Sequence, residues 1–426
     1  MVKYDAAGNV KWADCMATTG TNCSAGGYAV CTDSNNNIYE TGTYEGTAKL
    51  GTLSISSTDN TSMFIAKYNA NGTPIWLNSA SLTSRYSYAF GTSVTCDRKS
   101  NVIVTGTFRD TISFGTTTLL SAFSNSFLVK YDSNGNLLWA KAIINDITSP
   151  GNCSASTVAT DAFNNIYATG QFTGTVYLAN DTLTAASVSG PSLYLAKYDP
   201  NGKLIWAEAF GAVTNDGVTP VIVDKSNNVY LGGQFINSTP FIIGSYSLND
   251  PYYGSGSNSF LARLTPNGNV MWAIEANPVS PEEMSVIWIE SLAIDNCNNV
   301  YWAGISSDSI SIGTYKGAIP ASIPHIDSTH FNFVVKLDSM GNAISGTVFP
   351  DDDKVANNIP YAGVAIDYNN NISFCGQLNT TSMVLGKTTL TGPNQSYVTK
   401  FTLPGGNCCS GLQINVSGND TICNKR

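Results

Sequence analysis

The pattern Asp-x-x-x-Asn-[Ile/Val]-x-x-x-Gly occurs six times along the chain in one fixed register. Its aspartates are Asp33, Asp97, Asp161, Asp224, Asp295 and Asp367, each followed by Asn37, Asn101, Asn165, Asn228, Asn299 or Asn371. The glycines are Gly42, Gly106, Gly170, Gly233, Gly304 and Gly376. A second element, [Lys/Arg]-[Tyr/Leu/Phe]-x-x-x-Gly-x-x-x-Trp, follows: Lys67…Gly72…Trp76, Lys130…Gly135…Trp139, Lys197…Gly202…Trp206 and Arg263…Gly268…Trp272. The aspartates stand 64, 64, 63, 71 and 72 residues apart. Self-similarity at a fixed period means a repeat architecture, because each unit buries its apolar face only against its neighbours.

One copy gives the local structure. Tyr88 to Cys96 is a strand, a polar turn follows Asp97, and Val102 to Phe108 is a β-branched second strand. Beyond a Gly/Thr/Ser-rich stretch come Ser126 to Tyr131, the turn Asp132 to Gly135, and Leu137 to Ile143. Asn-Gly between two apolar runs is a strong hairpin signal. Each period therefore holds four strands, a to d, with tight a–b and c–d turns. Four antiparallel strands per period predict an all-β protein, a β-propeller with one blade per repeat.

In such a blade the recurring residues have structural jobs. Each aspartate is expected to accept hydrogen bonds from its own turn, and each motif asparagine to take the left-handed conformation. The strand b glycines suit a bulge or a close backbone approach. The tryptophans are expected to pack between neighbouring blades.

The unit Asp-x-x-x-Asn-[Ile/Val]-Tyr-x-x-Gly…Lys-Tyr-Asp-x-Asn-Gly-x-x-x-Trp resembles the bacterial β-propeller repeat called SBBP, over roughly residues 1–403. Units of this kind occur in large secreted or surface proteins of Bacteroidetes-type bacteria. The resemblance implies a multi-bladed, extracellular propeller in a larger multidomain protein and brings no catalytic residue. Gly411 to Asn424 resembles the opening strand of an immunoglobulin-like module. The expected organisation is a propeller over 1–406, with repeat motifs at 33–76, 97–139, 161–206, 224–272, 295–345 and 367–403. A partial repeat precedes it at 1–15, and 407–426 is a linker and the start of a further β module. Six blades are expected, the N-terminal strand Val10 to Cys15 supplying the strand d that the sixth repeat lacks; seven is the alternative. The chain opens in mid-motif, with Lys3, Tyr4, Gly8 and Trp12 in register, and so reads as trimmed. Its first residues show no charged and apolar signal-peptide pattern, which in a chain expected to be trimmed says little against secretion.

Composition narrows the partners. The net charge of −9 disfavours binding to nucleic-acid phosphates. No apolar run is long enough to span a membrane. Of the ten cysteines, Cys31, Cys96 and Cys375 fall in strands as small apolar residues, the first two on opposite faces by strand alternation. Cys15 with Cys23, and Cys408, Cys409 and Cys423, are candidate disulfides for an oxidising compartment.

Function is expected where the repetition stops, on the b–c and d–a connections. Candidate ligand-binding residues there are Arg85, Tyr86 and Tyr88 after one strand d, Tyr252 and Tyr253 in a long b–c insertion, and Trp288 with Glu290. Aromatic rings beside polar groups suit a sugar or peptide, the ring stacking while the polar atoms orient. His325, Asp327 and His330 form a weak metal-ligand spacing, and Asp351 to Asp353 a weak Ca²⁺ candidate. No cofactor is otherwise expected. No nucleophile elbow, phosphate loop or dinucleotide fingerprint is present. The reading is a non-catalytic surface propeller that binds a glycan or protein, serves in adhesion, or acts as a scaffold. The alternative is a glycosidase or polysaccharide lyase with a site at the central channel, for which Glu283, Glu290 and Asp351 are the acids to inspect.

Overall fold

The computed structural model describes residues 1–5, 7–57, 60–84, 86–146, 151–179, 181–186, 190–214, 217–236, 240–249, 257–278, 286–307, 310–312, 331–349, 362–367, 370–378, 382–385, 388–391 and 395–401. Among them every regular element is a strand. Hydrogen-bond pairing reproduces the order a-b-c-d. Repeat 1 comprises Ala17–Thr32, Ile38–Leu50, Ser62–Tyr68 and Pro74–Ser79, and repeat 2 Tyr88–Cys96, Val102–Arg109, Asn125–Tyr131 and Leu137–Asn145. Repeat 3 comprises Cys153–Thr160, Ile166–Phe172, Ser192–Tyr198 and Leu204–Ala212. Repeat 4 comprises Val221–Val223, Val229–Ile236, Ser257–Leu264 and Val270–Pro278, and repeat 5 Ile287–Ile294, Val300–Ser306, Phe331–Leu337 and Ala343–Phe349. In repeat 6 Ala362–Ile366, Ile372–Leu378 and Gln395–Phe401 pair in that order. The chain divides into two compact halves, one of Met1–Asp5 with Val10–Asn215 and the other of Ala6–Asn9 with Asp216–Arg426.

Apolar cores lie between repeats 1 and 2, between 2 and 3, and between 4 and 5. Neighbouring residues of one strand serve different cores: Val102 and Val104 pack with Tyr39, Met63 and Ile65 of repeat 1, whereas Ile103 packs with Ile166 and Ala168 of repeat 3. Strand c of repeats 1 to 3 is buried at every position, as a strand covered on both faces must be.

The motif residues explain the blades. Asp97 Oδ1 accepts the N–H groups of Lys99 and Asn101, both at 2.9 Å, while Oδ2 accepts the Asn101 side-chain amide at 2.8 Å. Lys130 Nζ reaches the same carboxylate at 2.8 Å, with both side chains buried. Burial pushes the Asp97 carboxyl up, but Lys130 and Asn101 outweigh it and hold the group below its ordinary range. The motif asparagine is therefore a donor to the aspartate. The left-handed residue is the one before it: Asn36, Ser100, Asn164, Asn227, Asn298 and Asn370 have φ of 59°, 60°, 65°, 65°, 61° and 62°. That corrects the expected role of the motif asparagine. The turn must reverse one residue earlier so that the next N–H can face the carboxylate.

The Lys–Trp element joins repeat 1 to repeat 2, repeat 2 to repeat 3 and, with Arg263 for lysine, repeat 4 to repeat 5. Lys67 Nζ and Trp76 Nε1 both donate to the Ser133 carbonyl in the following c–d turn, at 2.7 and 3.2 Å. Lys130 and Trp139 do the same at Pro200, and Arg263 and Trp272 at Ser339. Trp12, Trp76, Trp139 and Trp272 lie against the turn glycines that follow, Gly72, Gly135, Gly202 and Gly341. A Cβ on Gly135, whose φ is 85°, would stand 2.9 Å from the Trp76 ring. The indoles thus sit between neighbours, as the sequence predicts.

The N-terminus obeys the same rule. Val2–Tyr4 pairs with Val10–Ala13 as a two-stranded sheet, and Lys3 and Trp12 donate to the Ala70 carbonyl of repeat 1.

The b–c connections also differ from expectation, because they are not free loops. Ile112–Phe114 with Thr117–Leu119, Thr175–Leu178 with Asp181–Thr184, and Phe241–Ile243 with Tyr246–Leu248 are short hairpins. Several extend the edge of the preceding repeat. Ile112 pairs with Leu82, Tyr177 with Ile144, and Ile312 with Ala276. Covering the outer strand in this way blunts a sheet edge that would otherwise pair with other chains.

Candidate functional site

Strand a carries the feature that sets the candidate site. Its pairing with strand b slips by one residue at Tyr28 in repeat 1, Thr92 in repeat 2, Ser156 in repeat 3 and Glu290 in repeat 5. The extra residue pushes a carbonyl of strand a onto the motif glycine of strand b. A Cβ on Gly42, Gly106, Gly170 or Gly304 would lie 1.9 to 2.1 Å from the oxygen of Gly26, Phe90, Ser154 or Trp288. The motif glycine is thus the partner of a bulge, and the bulge re-aims one side chain per blade.

In repeats 1 and 2 that side chain bonds to strand b. The Tyr28 hydroxyl accepts from Thr43 Oγ1 at 3.1 Å and Thr92 Oγ1 donates to the Thr105 carbonyl at 3.2 Å, while in repeat 3 it is the residue after the bulge position, Thr157, whose hydroxyl meets that of Thr169 at 3.0 Å. In repeat 5 the bulged residue is Glu290, between the pairs Ile289 with Gly304 and Ser291 with Ala303. The strand b residue facing the bulge is Ala303 in repeat 5, where repeats 1 to 3 have Thr41, Thr105 and Thr169. Burial accordingly pushes the Glu290 carboxyl up to about 7. Two residues earlier the half-buried Trp288 donates its indole N–H to Ser257 Oγ at 2.6 Å. A carboxyl that is part protonated near neutral pH can both donate to and accept from a hydroxylated ligand. It can also act as a general acid or base.

The structure places Trp288 and Glu290 on one strand of the second half, and Tyr86 and Tyr88 in the first. Tyr86 is 63% exposed, and its N–H bonds to Ser84 Oγ at 3.1 Å. Tyr88 is half-buried, with its ring 5.1 Å from that of Phe90. Tyr88 therefore packs its own strand, and Tyr86 remains the exposed ring of that pair. Arg85, Tyr252, Tyr253, Glu283, His325, Asp327, His330, Asp351 to Asp353 and 407–426 lie outside the described residues. Among the described residues no group of three or more His, Cys, Asp or Glu side chains is placed to hold a metal ion.

One groove of about 680 Å³ in the first half escapes the sequence reading. It lies against strand d of repeat 2, with Leu119, Lys141, Asp146 and Tyr177 in its lining. The Tyr177 hydroxyl donates to Asp146 Oδ2 at 3.0 Å. The groove exists because the b–c hairpins stand beside strand d.

The cysteines depart from the expected pairing. Cys15 and Cys23 are free thiols, as are Cys31, Cys96, Cys153 and Cys375, while Cys297 is disulfide-bonded. Cys408, Cys409 and Cys423 lie outside the described residues.

No family model matches the chain. A curated relative, described as an uncharacterized WD repeat-containing protein from Acanthamoeba polyphaga mimivirus, is 24% identical over 369 residues, covering 71% of this chain. The chain spans about a quarter of that relative's length. Similar solved structures include a protein of unknown function from Dyadobacter fermentans, at 9% identity over 90% of this chain and 96% of that one, with a TM-score of 0.44. A virginiamycin B lyase from Staphylococcus aureus is 10% identical over 90% and 86% of the two chains, with a TM-score of 0.41. An ulvan lyase is 10% identical over 90% and 79%, with a TM-score of 0.39. At these scores the likenesses carry no functional weight. WD repeats are four-stranded propeller blades. The same antiparallel four-stranded unit recurs here, and the chain is an all-β β-propeller.

Proposed function

We propose that this chain is a non-catalytic, six-bladed propeller of the SBBP kind, exported to the cell exterior as the binding, adhesion or scaffold module of a larger surface protein. The observation that carries the reading is the occupation of the repeated carboxylates. Asp33, Asp97, Asp161, Asp224, Asp295 and Asp367 all accept hydrogen bonds from their own turns, so the residues most numerous in the pattern build blades. The disulfide at Cys297 supports an oxidising compartment. Trp288 and Glu290 supply the ring and the hydrogen-bonding carboxyl that a glycan or peptide ligand needs.

A glycan array and a pull-down with the purified chain test the reading, with Trp288→Ala as the control. A ligand bound by the wild type and lost in the variant supports it. Equal retention by both proteins removes Trp288 from the site, and absence of any ligand leaves the scaffold role.

The Glu290 carboxyl, raised to about 7, favours one second reading, a polysaccharide lyase or glycosidase using that group as acid or base. Chain cleavage of acidic polysaccharides that disappears in Glu290→Gln would establish it. Glycosidases need a second carboxyl at a defined separation.

A further inference from the structure

Cys31 stands near the end of strand a in repeat 1, and Cys96 is the last residue of strand a in repeat 2. Both belong to the first half, both are half-buried, and both flank the core shared by the two repeats. Their sulfurs are 2.8 Å apart across the junction. Strand alternation does send them to opposite faces, as the sequence predicts, but the facing surfaces of consecutive blades are opposite faces. Parity that separates two residues in one sheet brings them together between two.

We propose that Cys31 and Cys96 form a disulfide that staples strand a of repeat 1 to strand a of repeat 2. Closing the bond requires the sulfurs to move less than 1 Å, from 2.8 Å to about 2.05 Å. The oxidant is a disulfide, either a small one such as oxidised glutathione or one carried by an oxidase. One cysteine thiolate attacks an oxidant sulfur and expels a thiolate, leaving a mixed disulfide. The second cysteine thiolate then attacks the protein sulfur of that bond and expels the other half. Two protein thiols become one disulfide, and the oxidant disulfide becomes two thiols.

The surroundings favour a lasting link over a reactive thiol. Burial first, then Cys96 and the Asp33 carboxylate, push the Cys31 thiol well up, so its thiolate is scarce and closure is slow at neutral pH. Cys297 is already disulfide-bonded, which supports folding in contact with an oxidant. The closed loop spans 65 residues, long enough for the cross-link to restrict the unfolded chain strongly.

The test uses the full chain, purified reduced, divided between a glutathione redox buffer at mildly alkaline pH and dithiothreitol. After unfolding, blocking of free thiols and digestion without reductant, the oxidised sample is expected to yield a Cys31–Cys96 peptide lighter by two hydrogens. The reduced sample should yield both peptides blocked. Cys153, buried beside Ser126, is the internal control and should stay a thiol in both. The thermal midpoint should rise on oxidation, and by less in both Cys96→Ser and Cys31→Ala than in the wild type, since all three share the Cys297 disulfide. Full recovery of blocked Cys31 and Cys96 after oxidation overturns the proposal, as does a Cys31 linkage to any other cysteine. The peptide map reads the wild type alone and does not depend on whether either variant folds.

Discussion

Replacing Glu290 by Gln removes a proton equilibrium and little else, because the two side chains share size and shape. The Glu290 carboxyl is raised from 4.5 to about 7 by burial at the repeat 5 bulge. At roughly 1.4 kcal/mol per tenfold change in proton affinity, ionising it in place costs at most about 3 kcal/mol. Its partial exposure to solvent brings the expected figure nearer 2 kcal/mol. The sign follows from linkage. Between pH 4.5 and about 7 the folded chain holds more protons than the unfolded one, so stability falls as pH rises through that window. Below pH 4.5 the carboxyl is neutral in both states, and wild type and Glu290→Gln should unfold alike. Above about pH 7 the variant should be the more stable by about 2 kcal/mol. Urea unfolding of both proteins at a series of pH values, followed by tryptophan fluorescence and by far-ultraviolet dichroism, measures the difference. Parallel wild-type and variant curves across the whole range would refute the desolvated carboxyl, and with it the acid–base chemistry proposed for that position.

Other consequences are more local. Gly106→Ala puts a methyl group 2.0 Å from the Phe90 carbonyl oxygen and should cost about 3 kcal/mol in denaturant unfolding, unless the bulge is removed with it. Lys130→Met leaves the Asp97 carboxylate buried without its cation, so a loss of about 3–5 kcal/mol is expected by calorimetry; a change under 1 kcal/mol would contradict the buried pair. Because the Asp97 carboxyl is held below its ordinary value of 3.8, its contribution is present above that pH and disappears as pH falls through the lowered value. The acid-unfolding midpoint should consequently move in Asp97→Asn. Trp76→Ala empties the space over Gly135 and frees the Ser133 carbonyl; about 3–5 kcal/mol should be lost, with hydrogen exchange rising at the turn near Ser133.

The blades were legible because their residues act at short range. Asp97 bonds groups two and four residues away, and such local chemistry leaves a fixed spacing in the sequence. The left-handed residue was misplaced by one position because Asn occupies both places in five of the six turns, and Ser100 alone breaks the ambiguity. The b–c hairpins were missed although they too leave a mark. Leu50-Gly51, Phe114-Gly115, Leu178-Ala179 and Ile243-Gly244 all put a positive φ directly after a large apolar residue. Threonine and serine around them hide the alternation, since a three-residue strand shows it at only two buried positions. At the candidate site, Trp288 and Glu290 were found by composition, but the reason for Glu290 was not. The bulge position becomes visible only when strand a is counted back five residues from each aspartate, which lines up Tyr28, Thr92, Ser156 and Glu290. The meeting of Cys31 and Cys96 depends on how one sheet faces the next, and no strand pattern carries that information.

The carbonyl shared by a cationic side chain and a tryptophan gives the junctions at Ser133, Pro200 and Ser339 a direction. Ser133 accepts what Lys67 and Trp76 donate, while Lys130 and Trp139 of the same repeat donate onward to Pro200. A repeat therefore has a donor side and an acceptor side, and two like sides have nothing to offer each other. Such head-to-tail contacts close into rings or run on as open arrays, and they do not form twofold pairs. A chain cut between repeats would carry complementary ends, and its fragments should rejoin in one order only. The same polarity makes duplication simple: an added copy meets the partner it needs on either side, and a gene of this kind can lengthen one blade at a time without inventing a new interface.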